Sequence, residues 1–106
     1  MEFHDVRDGI KIELQNKGWK KVEFSIRFPS SSGTVDVVAS GSGLRKKTLM
    51  IAIGSNPFDA GIAGLLLAGI SERGEKLIFL QEGSPEEVQM TPGVSIISSV
   101  AELPAA

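Results

Sequence analysis

Few side chains in this sequence have the nucleophilicity, metal affinity or buffering range that catalysis draws on. There is no cysteine, which excludes disulfides, thiolate nucleophiles and cysteine-ligated metals. The single histidine, His4, falls in a segment expected to be a mobile terminus, so a catalytic dyad around it is not expected. Two carboxylates stand out: Asp36, inside the β-branched run Thr34-Val35-Asp36-Val37-Val38-Ala39, and Glu13, among residues with helical spacing. Gly54-Ser55-Asn56-Pro57 joins an apolar run to a helical one, a place where free amides can collect an anion. No lysine follows the glycine as in a phosphate-binding loop, and ordinary helix capping accounts for each of these residues.

The bases form two clusters, Lys17, Lys20, Lys21 and Arg27 first, then Arg45-Lys46-Lys47. Acids gather later, at Glu72, Glu75, Glu82, Glu86 and Glu87. A net charge of -2 gives no global attraction for nucleic acid, so any such contact must come from a local cluster. Trp19 is expected to pack beneath the first strand, with base stacking as its alternative use.

The elements that must hold these groups follow from periodicity. With 106 residues, 42% hydrophobic and 23% charged, one domain spanning 1–106 is expected. Val6, Ile10 and Leu14 recur every four residues and predict a helix from Asp5 to Lys17, stopped by Gly18. Val22, Phe24, Ile26 and Phe28 alternate with polar residues, the pattern of a strand with one buried face. Thr34 to Ala39 reads as a second strand. Thr48 to Ile53 is apolar throughout, as a central strand covered on both sides must be.

A helix from Phe58 to Ser71 follows, then strands Leu77 to Gln81 and Val94 to Ser98, with a polar loop from Gly83 to Gly93 between them and a frayed end at 101–106. Short loops make the first three strands an antiparallel meander, and strand, helix and strand make a parallel crossover. The expected architecture is α/β: helix-strand-strand-strand-helix-strand-strand, a mixed sheet with helices on both faces. No apolar run is long enough to span a membrane and no leader is recognisable, so cytoplasmic residence is expected. Leu65, Leu66 and Leu67 point in three directions around one helix, so part of the Phe58 to Ser71 helix needs a cover beyond the sheet, and a homodimer through it is expected.

This order, with Gly33-Thr34-Val35-Asp36-Val37-Val38-Ala39 followed by Lys47-Thr48-Leu49-Met50-Ile51-Ala52-Ile53-Gly54, resembles the restriction endonuclease-like core of the PD-(D/E)xK nuclease superfamily, which includes archaeal Holliday junction resolvases. The resemblance spans roughly Val6 to Leu80. It implies that Asp36 matches the first metal-binding acid, and that Glu13 matches an accessory glutamate of the resolvase branch. In that family two carboxylates hold a divalent metal while a lysine orients the attacking water. An acid and a lysine two apart share one face of a strand. Here Ala52 stands at the second acid and Gly54 at the lysine, and neither can bind a metal or move a proton.

The resemblance therefore implies a catalytically degenerate domain, without metal or other cofactor, that binds nucleic acid or scaffolds a complex. Lys20, Lys21, Arg45, Lys46 and Lys47 would be its contacts with DNA, and Glu13 and Asp36 vestiges. One alternative is an active magnesium- or manganese-dependent nuclease whose acid and lysine have relocated, to Asp59 and to Lys46 or Lys47. Another is a regulatory module that takes a small anion at the Gly54 turn.

Overall fold

In the computed structural model, which describes residues 3–41 and 47–106, each stretch of periodicity becomes one element. Helix α1 (Phe3–Asn16) precedes strands β1 (Lys21–Ile26), β2 (Val35–Ser40) and β3 (Thr48–Gly54). Helix α2 (Pro57–Ala68) follows, then strands β4 (Glu75–Leu80) and β5 (Val94–Ile97). One five-stranded sheet runs in the order β1-β2-β3-β4-β5. β1–β2 and β2–β3 are antiparallel, and β3–β4 and β4–β5 are parallel. Among the described residues no helix is long and apolar enough to cross a membrane.

The two helices cover opposite faces because β3 and β4 are apolar on both. Leu49, Ile51, Leu77 and Phe79 pack with Val6, Ile10 and Leu14 of α1. The intervening Met50, Ala52, Ile78 and Leu80 pack with Ala60 and Leu67 of α2. α2 is seated closely: a Cβ at Gly54 would lie 2.8 Å from Ala60, and one at Gly64 would lie 2.9 Å from Thr91 Oγ1. At its N-terminus the Asn56 side chain accepts the Asp59 amide, the usual reason for asparagine at a helix cap.

Three expectations need correction. β1 does not bury a single face: Val22 and Phe24 join the α1 side, whereas Ile26 and Phe28 join the α2 side. The break falls at Ser25, whose φ of 54° is rare for a non-glycine residue, and the β1–β2 ribbon turns over there. The C-terminal segment is not frayed. It forms a short 3₁₀ turn (Val100–Glu102), buries Leu103 beside α1, and is held by the Trp19 indole N–H donating to the Pro104 carbonyl at 2.8 Å. The Ala106 amide donates to the Lys17 carbonyl, and Lys17 Nζ donates to the carbonyls of Ala101 and Leu103. His4, finally, lies in α1 and shares a 3.0 Å hydrogen bond with Arg7. Within the 83–93 loop a second 3₁₀ turn (Pro85–Glu87) leads to a buried Val88.

Candidate functional site: two ends of one sheet

β3 carries the candidate chemistry, and its two ends are chemically opposite. At the C-terminal end the β2–β3 ladder closes with Val37 opposite Ile51. Asp36, the next residue of β2, accepts the Ile53 amide at 2.7 Å through its carboxylate. The side chain replaces the backbone acceptor that the diverging strand no longer supplies. Burial raises the Asp36 pKa above the usual carboxylate range, the Ile53 amide opposes that shift, the nearby negative charge of Asp59 adds to it, and Arg7 lowers it. Asp59 itself accepts the Ser55 amide at 2.9 Å and the Ser55 hydroxyl at 3.1 Å.

At this end the two carboxylates are engaged with the backbone. Asp36 and Asp59 are both bonded to backbone amides. Ala52 and Gly54 are buried, and Ala52 faces the α2 side of the core. The Gly54 position has no room even for a Cβ. Glu13 is half-buried on α1, six residues past Arg7 and so about 9 Å further along the helix, towards the end where β1 begins. The charges that act on Asp36 are those of Asp59 and Arg7. Among the described residues no three His, Asp or Glu side chains form a group that could hold a metal ion. At the helix N-terminus Asn56 Oδ1 accepts the Asp59 amide, and the Asp59 carboxylate lies against the Ser55 amide.

The basic residues lie at the other end. Lys20 and Lys21 enter β1, and the Lys20 amide donates to the Ser40 carbonyl at the end of β2. Lys47 leads into β3, and the Gly41 amide donates to its carbonyl at 2.9 Å. Both approaches therefore flank the same end of β2, as the antiparallel meander requires. Lys20, Lys21 and Lys47 are exposed; Lys21 pairs with Glu23 at 3.6 Å. Arg45 and Lys46 lie outside the described residues.

Sequence reasoning missed Arg73. Because β4 runs parallel to β3 with Glu75 opposite Leu49, the residues just before β4 reach the same rim, and the exposed Arg73 adds a fourth cation to it. Lys47 and Arg73 border a shallow cavity of about 290 Å³ together with Trp19, Thr48, Gly74 and Glu75. The parallel crossover was the signal that could have placed Arg73 there. Trp19 is only 3% exposed, which leaves no ring face for a base to stack on.

The rim and the acids are far apart. From Lys47 to Ile53 the strand rises about 20 Å, so Lys47 cannot stand in for a lysine beside Asp36. No protein-family model, curated protein or solved structure matches this chain.

Proposed function

We propose that this domain is a degenerate member of the restriction endonuclease-like fold that binds nucleic acid without cutting it and serves as a scaffold within a complex. The observation that carries the reading is the separation of charge from chemistry along β3. Lys20, Lys21, Lys47 and Arg73 share one rim of the sheet, while Ala52 and Gly54 occupy the positions of the second acid and the lysine at the other end. A phosphate backbone held at the rim would lie about 20 Å from Asp36. Contacts of this kind neutralise phosphates and release counterions, so they carry no sequence preference.

Fluorescence anisotropy with labelled duplex, branched and single-stranded DNA over a range of salt tests the reading. Weak, sequence-indifferent binding is expected, and each neutralised phosphate on duplex DNA contributes about 0.9 to the slope of log affinity against log salt. Exchanging Lys47 and Arg73 together for glutamine should flatten that slope. Absence of binding to all three forms at low salt would refute the reading. Cleavage with magnesium or manganese that is lost in Asp36→Ala would replace it with the active nuclease.

A further inference from the structure

The rim leaves a second concave feature of the described surface unused. Between α2 and the 87–92 segment lies an open groove of about 650 Å³ walled by Phe58, Ile62, Leu65, Met90 and Pro92. Phe58 is 81% exposed, Ile62 52%, Leu65 68% and Met90 73%. Positions 58, 62 and 65 fall on one stripe of α2, on the side away from Ala60, Gly64 and Leu67, which are buried. Lone exposed apolar residues are ordinary, but four around one groove form a contiguous patch of the kind that marks an interaction surface.

We infer that the occupant of this groove is a second copy of the chain, packed α2 against α2 about a two-fold axis. This supplies the partner that a scaffold requires, although the contact itself does not depend on nucleic acid. Charge narrows the choice of occupant. No lysine or arginine occurs from 55 to 72 or from 77 to 106, while Glu82, Glu86 and Glu87 lie in the loop that precedes the groove. A phosphate backbone or an anionic lipid surface would meet the wrong sign there. A second α2 brings an apolar face with a single charged residue, Asp59.

In an antiparallel pair crossing between positions 61 and 62, the two Asp59 side chains lie on opposite sides of the axis, about 8 Å apart along the helices. Gly61 falls on the same stripe, with only the Gln89 Cβ at 3.9 Å from where its own Cβ would be, so the helices can approach closely at the centre. Phe58 of one copy then meets Leu65 of the other, and the Ile62 pair flanks the axis. With about 150–200 Å² for each large side chain, the exposed fractions of the four amount to about 500 Å² per copy. That is about 1,000 Å² for the pair before neighbouring residues are counted, close to the lower bound for a specific interface.

Sedimentation velocity over a concentration series, with parallel light scattering, should report a dimer. Ile62→Glu and Leu65→Glu, both on the surface, should each give a monomer with unchanged circular dichroism. The absence of native cysteine makes disulfide trapping specific. Ile62→Cys should cross-link under mild oxidation, whereas Ile12→Cys, exposed on α1, should not. A monomeric wild type at sub-millimolar concentration overturns the inference, as does a dimer that survives both glutamate variants or an Ile62→Cys protein that fails to cross-link. Partition of the wild type onto anionic vesicles through this face would overturn it in favour of a membrane. Loss of DNA binding at the rim with the dimer intact would sink the nucleic-acid reading and leave this one standing.

Discussion

Asp36 offers the sharpest test of how the acidic end of the sheet works, because its two possible roles respond oppositely to small changes. Its carboxylate accepts the buried Ile53 amide at 2.7 Å where the β2–β3 ladder has ended. Asp36→Ala removes that acceptor and leaves an amide without a partner, which costs about 1–3 kcal/mol. In a domain of this size each kcal/mol lowers Tm by about 4–8 °C. Asp36→Asn keeps an oxygen in place and removes the charge that burial and Asp59 disfavour. It should therefore be far less destabilising than Asp36→Ala near pH 7.

The pH dependence has a definite sign. The folded state holds the Asp36 proton more tightly than the unfolded chain does, so this residue's contribution to stability falls as pH rises from the ordinary carboxylate range through the raised folded pKa. Asp36→Asn should abolish that decline. Urea unfolding of the wild type and both variants between pH 3 and neutrality measures it. An Asp36→Ala protein as stable as the wild type, or an Asp36→Asn protein as unstable as Asp36→Ala, would refute the structural role.

Three further expectations follow from packing. Gly54→Ala sets a Cβ 2.8 Å from Ala60, so it should destabilise by about 1–3 kcal/mol, visible as a lower urea midpoint with an unchanged slope. Leu103→Ala should cost about 2–5 kcal/mol because the side chain is buried beside α1. Removing residues 103–106 should also shift the fluorescence of Trp19, whose indole loses the Pro104 carbonyl.

What the sequence disclosed and what it hid have physical reasons. The element order was legible because Val6, Ile10 and Leu14 repeat at helical spacing and Thr48 to Ile53 is apolar on both faces. The shared rim was legible too, since alternate strands of a meander begin at one end. The docked C-terminal segment was not, because a single 3₁₀ turn with one buried leucine leaves no periodicity to detect. The turnover of β1 was hidden for a different reason. Val22, Phe24, Ile26 and Phe28 alternate perfectly, and only the backbone at Ser25 sends the latter two to the other face.

The packing also bears on why positions 52 and 54 carry neither an acid nor a lysine. Gly54 is the point at which α2 meets β3, with Ala60 too close for any side chain there. Ala52 belongs to the core beneath the same helix. A lysine at 54 would have to lift the start of α2. An acid at 52 would be buried close to Asp36, whose pKa is already raised, and burying a second carboxylate there would cost several kcal/mol by an order-of-magnitude reckoning. The identities of both positions are thus coupled to the seating of one helix. Placing Asp and Lys at 52 and 54 together should disrupt the fold before it produces a metal site. The chain has committed this end to holding α2 against the sheet, and that seating is what presents Phe58, Ile62 and Leu65 outward as a fixed stripe. The same close contact that leaves no room for a lysine would therefore also build the platform for the proposed dimer.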